Sequence, residues 1–217
     1  MDKPIIFSAP MVRALLDGRK TQTRRLLKPK NHNTDLQCNG RGEWWWWTPG
    51  AGAPHIRQPV PYAVGDRLYV REAFWSCEEC GYLNHVVGAN SAGTGDRRCC
   101  ASCDAMLPKA KRSPIHMPRS RSRLTLTVTE VRVQRLQDIS DRDAMAEGIE
   151  RLRSGRGFYD PTMGKGMVHL GHKLGTARAA YALLWDSLHG DGAWRLNPWV
   201  AAYTFTVNHG NIYRSPA

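Results

Sequence analysis

The sequence predicts an α+β fold, because clear strand patterns and a clear helix pattern occur in one chain. Residues 124–133 and 67–75 alternate in polarity, which is typical of a strand with one buried face. Residues 177–188 instead repeat apolar side chains at the spacing of a helix. The apolar positions of this predicted helix are Tyr181, Leu184, Trp185 and Leu188.

Composition favours a polyanionic partner. The net charge is +12 over 217 residues, and a charge of this size points first to nucleic acid, with a basic surface that aids solubility as the alternative. A hydrophobic content of 41% is enough for a core, in one large domain or one domain with an insertion. No apolar run is long enough to span a bilayer and the first residues lack a signal-peptide core, so we expect a cytoplasmic protein.

The start of the chain predicts a strand, a helix and then a cationic turn. Residues 5–7 are an apolar strand candidate. Ser8 can cap the helix, Pro10 suits its first turn, and Gly18 suits the left-handed position after its end. Residues 19–25 are polar and cationic, so they could hold an anionic or carbonyl-bearing ligand or form a solvated basic loop. The apolar face of the helix consists of Val12, Leu15 and Leu16.

Four consecutive tryptophans occupy positions 44–47. In a strand, alternate indoles would point to opposite faces, so one pair could fill a core while the other faces a cleft. Indoles in a basic protein can stack on nucleic-acid bases, and packing in a core or interface is the alternative. Residues 48–63 carry many Gly and Pro and predict a connection.

Glu72 shares a face of the predicted strand over 67–75 with Leu68 and Val70. A carboxylate on that face could pair with Lys20 or with an arginine. The alternative is a glutamate in solvent at the end of the strand, and both remain open.

Two Cys-x-x-Cys pairs predict a metal site. Cys77 and Cys80 form the first pair, Cys100 and Cys103 form the second, and nineteen residues separate them. This spacing is typical of a zinc ribbon, in which four thiolates bind a structural Zn²⁺ with no open position for water. A reducing cytosol makes metal ligation the better explanation than disulfides. Cys99 leaves the register of the second pair open, and we expect Cys38 to be a free thiol.

A basic segment follows the second cysteine pair, over residues 105–123. Its prolines prevent one long helix. Together with Arg97 and Arg98 it could form a track that binds a nucleic-acid backbone, or it could be a solvated connection. Its cationic residues are Lys109, Lys111, Arg112, Arg119, Arg121 and Arg123.

The last third of the chain predicts a capped helix, a long loop and a closing strand. Ser140 and Asp143 form a capping-box pattern for a helix that ends near Gly148. Residues 151–173 are rich in glycine without a clear period, so we expect a mobile lid or a nucleic-acid contact. Residues 200–207 predict the closing strand, after which the end of the chain should fray.

The order of four segments resembles the ASCH domain. The motif Leu-x-Gly-Arg-Lys-Thr-x-Thr-Arg over residues 16–24 is similar to the ASCH signature. Residues 64–72, 136–149 and 197–200 are similar to further segments of that family. The likeness is closest to members encoded by phages or prophages, and it covers both ends of the chain but not the middle.

The resemblance implies a PUA-like β-barrel with flanking helices. We therefore expect the ASCH domain to comprise residues 1–76 and 120–208. The zinc ribbon at 77–104 would be an insertion, followed by a basic connection at 105–119 and a frayed tail at 209–217. The ribbon is where the chain departs from a minimal ASCH domain.

The family includes bacterial amidohydrolases that remove the acetyl group from N4-acetylcytidine, and this implies a Lys, a Thr and a Glu acting together. In this chain the residues are Lys20, Thr23 and Glu147. A threonine needs an adjacent base to act as a nucleophile, and a partly desolvated lysine can take its proton. The glutamate could orient the lysine or shuttle the proton to the leaving amine. Because Lys20 and Thr23 are three residues apart, a straight strand would point them to opposite faces, and the site requires a turn or bulge between them.

Three functions follow as expectations. The first is amide hydrolysis on an acylated cytosine, with Arg24 or backbone N–H groups binding the oxyanion. The second is a non-catalytic RNA- or DNA-binding module, and the third, less favoured for want of a carboxylate cluster for Mg²⁺, is a nuclease. The residues expected to bind substrate or nucleic acid are Arg19, Arg24, Arg25, Arg119, Arg121 and Arg123.

Overall fold

The protein is a mixed α+β chain with many strands and few helices, which confirms the predicted fold class. Its computed structural model describes residues 2–28, 35–39, 41–47, 56–85, 102–103, 105, 111–152, 157–161 and 175–214. The helices are α1 (Ala9–Leu16), α2 (Asp141–Ala146) and α3 (Ala177–His189). The strands are β1 (Asp2–Ile6), β2 (Gln22–Leu26), β3 (Asp35–Cys38), β4 (Trp44–Trp47), β5 (Ile56–Gln58), β6 (Arg67–Arg71), β7 (Phe74–Ser76), β8 (Leu83–His85), β9 (Leu124–Arg135), β10 (Glu150–Arg151), β11 (Phe158–Tyr159) and β12 (Trp199–His209).

Contacts divide the chain into two compact units. The first comprises Met1–Thr21, Gly65–Val128 and Phe205–Ala217, and the second comprises Gln22–Val64 and Thr129–Thr204. The predicted boundaries of an ASCH domain, a ribbon and a connection remain predictions. The predicted lid over 151–173 lies mostly outside the described residues.

The largest sheet has the strand order β1-β6-β9-β12-β2. Strands β1 and β2 are its edges, so the described strands form an open sheet and not a closed barrel. Strands β9 and β12 each contribute residues to both units. Of the helices in the described ranges, none is long and apolar enough to cross a membrane.

The first unit is built on a parallel pair and an antiparallel pair. Strand β1 runs parallel to β6 with Ile5 opposite Val70, and β6 runs antiparallel to β9 with Leu68 opposite Leu126. All four of these apolar side chains are buried. Alternation in the sequence therefore predicted the burial of Leu68, Val70 and Leu126, and the apolar run over 5–7 predicted that of Ile5.

Helix α1 ends as its sequence predicts. Gly18 has a φ of +69°, the left-handed conformation that a glycine adopts without steric cost. The backbone N–H groups of Arg19 and Lys20 both donate to the carbonyl of Ala14, at 2.9 and 3.0 Å. Ser8 occupies the N-cap position, but its side chain forms no capping hydrogen bond.

The predicted strand over 67–75 is two strands in the structure, because the pairing breaks between β6 and β7. The backbone N–H of Glu72 donates to the sulfur of Met117 at 3.3 Å, and Met117 is fully buried. A sulfur from a residue 45 positions away thus replaces a strand partner at this point. Sequence alternation carries no sign of such a contact.

The end of the chain is anchored up to Arg214, where the sequence predicts fraying. The Asn211 side-chain amide donates to the carbonyls of Arg119, Ser120 and Ser122 at 3.1, 2.9 and 2.7 Å. Ile212 is buried, and its carbonyl accepts a hydrogen bond from Arg67. One polar side chain and one apolar side chain therefore hold the segment against the first unit.

The second unit contains an antiparallel pair, a three-stranded sheet and two helices. Strand β2 pairs with β12, with Thr23 opposite Tyr203, and the small sheet has the order β3-β4-β5. Trp46 is buried and its Nε1 donates to Gln58 at 2.6 Å. This indole therefore packs in the core and is not exposed for stacking on a base. The other three tryptophans of β4 are half-buried.

Helix α3 packs in the core of the second unit. Three of its four predicted core residues, Tyr181, Leu184 and Trp185, are buried, whereas Leu188 near its end is exposed. The core cluster also includes Leu136, Ile139, Ala144, Ile149, Ala177, Ala180 and Val200. The buried stripe of the helix therefore begins at Ala177 and ends at Trp185, one turn earlier than the sequence predicts, and it packs with Ala144 of α2 and Val200 of β12.

The two serines at helix N-termini provide a matched test of capping. Ser140 accepts a hydrogen bond from the backbone N–H of Asp143 at 3.1 Å, whereas the Ser8 side chain makes no such bond. We expect Ser140→Ala to lower the free energy of unfolding by about 1 kcal/mol and Ser8→Ala to change it by less than about half of that. Urea denaturation measures both, and equal effects would contradict the assignment of the cap.

Candidate functional site

The residues of the ASCH-like motif that enter β2 are polar yet buried. Gln22, Thr23 and Arg24 all lie inside the second unit. Successive side chains of a strand point to opposite faces, so Gln22 and Arg24 share one face and Thr23 lies on the other. Burying polar groups is unfavourable unless each finds a partner, and the partners of Arg24 define the site.

Arg24 is the centre of a buried ion-pair network. Its Nη1 donates to Oε1 of Glu147 at 3.0 Å and to Oε1 of Gln22 at 2.6 Å. Its Nη2 donates to Oδ2 of Asp143 at 3.3 Å. Helix α2 supplies both carboxylates: Asp143 lies in its first turn and Glu147 is its C-cap, so a spacing of four places them on one face.

Asp143 joins a second guanidinium to the network. Arg132 of β9 donates to both of its carboxylate oxygens, at 3.0 and 3.2 Å, and Gln22 donates to Oδ1 at 3.2 Å. Burial acts to raise the pKa of Asp143, but the hydrogen bonds from Arg132 and Gln22 and the charges of Arg132 and Arg24 outweigh it and lower the pKa. Two guanidinium groups thus face two carboxylates.

Tyr181 of α3 completes the surroundings of Glu147. Burial, the charge of Glu147 and a hydrogen bond to its carboxylate raise the pKa of Tyr181 well above its usual range. The Arg24 guanidinium carbon lies 5.8 Å from the centre of the Tyr181 ring. Glu147 is therefore held from two sides and is suited to orienting a neighbouring group.

Lys20 belongs to the first unit, whereas Thr23 and Glu147 belong to the second. Its side chain is buried, and its Nζ lies 5.9 Å from the centre of the Phe7 ring. Lys20 precedes β2, which begins at Gln22, so it lies in the turn after α1. A site shared by Lys20, Thr23 and Glu147 remains a prediction.

The other arginines expected to bind substrate have varied surroundings. Arg19 pairs with the exposed Asp17 at 2.9 Å, and Arg25 is half-buried. The guanidinium carbon of Arg119 lies 5.6 Å from the ring centre of Tyr69. Arg119 also forms an ion pair with Asp2.

Glu72 is paired with Arg123, so of the two alternatives that the sequence leaves open, the pair with an arginine holds and the glutamate in solvent does not. Nε and Nη2 of Arg123 donate to the two carboxylate oxygens of Glu72 at 2.8 and 2.9 Å. Glu72 is buried, and a two-point contact of this kind is the strongest that an arginine makes with a carboxylate. This ion pair joins the basic segment to the end of β6.

Three cysteines in the first unit could hold a metal ion. The sulfur atoms of Cys77, Cys80 and Cys103 lie within 4.8 Å of one another, and those of Cys77 and Cys103 are 3.5 Å apart. Four thiolates around one Zn²⁺ at tetrahedral angles lie about 3.8 Å apart, so this donor set fits such an ion. Cys99 and Cys100 lie outside the described residues, as do Arg97, Arg98 and Lys109.

The first cysteine pair lies in a hydrogen-bonded turn. The N–H of Gly81 donates to the carbonyl of Cys77 at 3.0 Å, and Gly81 has a φ of +68°. The N–H of Cys77 in turn donates to the carbonyl of Tyr82 at 2.9 Å. Cys38 is exposed, lies in the second unit, and is a separate thiol.

Several residues of the ion-pair network were missed by sequence reasoning. The spacing of Asp143 and Glu147 by four positions could have indicated a shared helix face. Arg132 and Tyr181 carried no signal, because a strand arginine and a core tyrosine are ordinary residues until the fold places them beside Glu147. Arg24 was expected to face substrate, but both of its terminal nitrogens bind within the protein.

Comparisons of the chain with protein-family models, curated proteins and solved structures give no match. The ASCH resemblance and the function it implies therefore rest on the quoted residues alone.

Loss of the Asp143 charge should weaken the fold in a pH-dependent way. We expect Asp143→Asn to lower the free energy of unfolding by about 2 kcal/mol at pH 7. The pKa of Asp143 is lower in the folded state, so its contribution is present above about pH 4 and is lost as the pH falls through the folded value. Wild type and variant should therefore converge in urea denaturation at acidic pH.

The matched control for that substitution is Asp191→Asn, because Asp191 is exposed in the turn after α3. Its effect should be under about 0.5 kcal/mol at every pH. A difference between wild type and Asp143→Asn that stays constant down to pH 3 would contradict the assigned ion pairs.

The cysteine cluster predicts one metal ion per chain. We expect Cys77→Ser and Cys103→Ser each to reduce the bound metal by most of its amount, because each removes one thiolate ligand. Cys38→Ser is the control and should retain the full content. Elemental analysis of the purified chains gives the metal-to-protein ratio, and equal content in all three variants would refute the site.

Proposed function

We propose that this chain hydrolyses the amide bond of an acylated cytosine of the N4-acetylcytidine type, in a nucleoside or in nucleic acid. The observation that supports this proposal is the burial of the three motif side chains, with exposed fractions of 1% for Lys20, 4% for Thr23 and 6% for Glu147. Burying an amine and a carboxylate costs free energy unless they are paired. Such groups are concentrated at functional sites.

In this proposal Thr23 is the nucleophile and Lys20 is the base. The Thr23 Oγ1 attacks the acetyl carbon while its proton passes to the Lys20 Nζ. The bond from that carbon to the cytosine N4 breaks, and N4 takes the proton from Lys20. A water molecule then attacks the acetyl ester and gives one proton to Lys20, which returns it to Oγ1 as the ester bond breaks. Cytosine and acetic acid are the products.

Glu147 acts as a positioning residue in this scheme. Arg24 and Tyr181 hold its carboxylate, and Arg24 lies on the opposite face of β2 from Thr23. We therefore assign Glu147 to orienting Lys20 and not to direct contact with the Thr23 hydroxyl. Arg24 is not used as an oxyanion donor, because its terminal nitrogens serve Glu147, Gln22 and Asp143.

The metal of the cysteine cluster is proposed to be a structural Zn²⁺. Thiolates are the ligands that Zn²⁺ favours, and two Cys-x-x-Cys pairs close a tetrahedron without room for a substrate. We propose Cys77, Cys80, Cys100 and Cys103 as the ligands. No step of the hydrolysis uses this ion, and the proposal as a whole describes an ASCH-domain protein of PUA-like type with an inserted ribbon.

A non-catalytic nucleic-acid-binding module is the second candidate. Trp199 favours it: its ring centre lies 5.9 Å from that of Trp44 and 4.5 Å from the guanidinium carbon of Arg135. Half-buried indoles beside an arginine suit the stacking of a base. This function would need no turnover, so a kinetic test separates the two candidates.

Hydrolysis of N4-acetylcytidine, free and within an oligonucleotide, tests the first candidate. We expect Thr23→Val and Lys20→Met to lower kcat by at least about 100-fold, because they remove the nucleophile and the base with little change in volume. Thr21→Ala and Lys28→Ala are the matched controls, since both side chains are exposed, and they should keep near wild-type rates.

The positioning role of Glu147 predicts a different result. Glu147→Gln should retain part of the activity and shift the acidic limb of the pH–rate profile to lower pH, because loss of a negative charge favours a neutral neighbouring amine. Circular dichroism establishes that each variant is folded. Absence of turnover by folded, metal-loaded wild type on both substrates would remove this candidate and leave the binding module.

A further inference from the structure

A large cavity lies within the first unit, which does not contain the network around Arg24. Its volume is about 1140 Å³, and four separate segments of the chain line it, the first of them through Leu16 at the end of α1. The segment after the first cysteine pair contributes Tyr82, the basic segment contributes Arg121, and the end of the chain contributes Tyr213 and Arg214. A volume above the usual range for a small-molecule pocket suits an extended ligand.

The lining is positively charged. It contains Arg121, Arg123 and Arg214, and no Asp or Glu lies among the described lining residues. Arg123 is neutralised by Glu72. Within the described part of the chain, Arg121 and Arg214 form no ion pair, so their charges are available to an anion.

Two tyrosines lie beside the cationic lining. Tyr82 is 40% exposed and Tyr213 is 65% exposed, so both rings are accessible to a ligand. The guanidinium carbon of Arg121 lies 5.8 Å from the ring centre of Tyr82, and that of Arg119 lies 4.6 Å from the ring centre of Tyr213. Tyr82 therefore lies next to a cation that can meet a phosphate, whereas the Arg119 beside Tyr213 is already paired with Asp2.

The positions of both tyrosines are fixed by the backbone. The N–H of Cys77 donates to the Tyr82 carbonyl at 2.9 Å, which ties Tyr82 to the cysteine turn. The N–H of Tyr213 donates to Oδ1 of Asn211 at 3.1 Å, and the amide of Asn211 is tied to three carbonyls of the basic segment. Hydrogen bonds therefore hold the backbone of both tyrosines in place.

We propose that this cavity binds a single strand of nucleic acid, with Arg121 and Arg214 on backbone phosphates and Tyr82 and Tyr213 stacked on bases. A single strand alternates phosphates with bases, which match the alternating arginines and tyrosine rings of the cavity. Only unpaired bases offer their faces for stacking. This inference rests on the proposed function, because it specifies that the acylated cytosine substrate is part of a nucleic-acid strand.

Fluorescence anisotropy with a labelled single-stranded RNA of about twelve nucleotides tests the proposal on the full chain. We expect the double variant Arg121→Ala/Arg214→Ala to weaken binding at least about tenfold. It should also reduce the slope of log K against log salt by about 1.4, the value for two phosphate contacts on a single strand. Arg121→Lys/Arg214→Lys keeps both charges and should keep most of the slope.

The matched control is Arg41→Ala/Arg195→Ala, which removes two exposed arginines of the second unit. This pair should leave the slope unchanged. Tyr82→Ala should weaken binding about tenfold while Tyr82→Phe keeps it, because the ring and not the hydroxyl stacks. Equal weakening by the two arginine pairs, or equal binding of the duplex form of the same RNA, would overturn the proposal.

Wild-type hydrolysis of free N4-acetylcytidine separates the two proposals. If the protein hydrolyses the substrate but its RNA binding does not depend on Arg121 and Arg214, the inference about the cavity is wrong and the amidohydrolase proposal stands. Binding that depends on these arginines, without hydrolysis of either substrate, would support the cavity and sink the amidohydrolase.

Discussion

The buried guanidinium of Arg24 imposes the strongest constraint on the second unit. A charge removed from water must be matched by carboxylates and hydrogen bonds, or it costs several kcal/mol. Helix α2 meets that need by presenting Asp143 and Glu147 on one face, and β9 adds Arg132 to balance the second carboxylate. Because these ion pairs form only with β2, α2 and β9 in place, they fix the position of β2 against α2. They also hold the Glu147 carboxylate at a defined position.

Local patterns predicted the elements of the fold but few of the contacts between them. Strand patterns located β9 and β12, and helical spacing located α3. Burial of one face of an element produces a regular spacing of apolar residues in the sequence. The break between β6 and β7 depends on the sulfur of Met117, and the anchored end of the chain depends on the amide of Asn211. Both contacts join residues far apart in sequence, which no local pattern records.

The candidate site was predictable in its residue types and not in its partners. The motif identified Lys20 and Thr23, and their burial agrees with a role beyond solvation. The same motif suggested that Arg24 meets substrate, whereas the structure commits its terminal nitrogens to internal ion pairs. The cysteine spacing predicted more directly the cluster that could hold a metal ion, and Cys103 does lie beside the first pair.

The central claim is that water cleaves an acyl amide on cytosine. The most direct measurement is mass spectrometry after wild-type protein acts on an N4-acetylcytidine oligonucleotide in ¹⁸O-labelled water. Our account predicts unmodified cytosine in the oligonucleotide and acetate that carries one ¹⁸O atom, because the added water oxygen ends in the acetate. An oligonucleotide that keeps its acetyl group, with folded and metal-loaded protein present, would contradict the account.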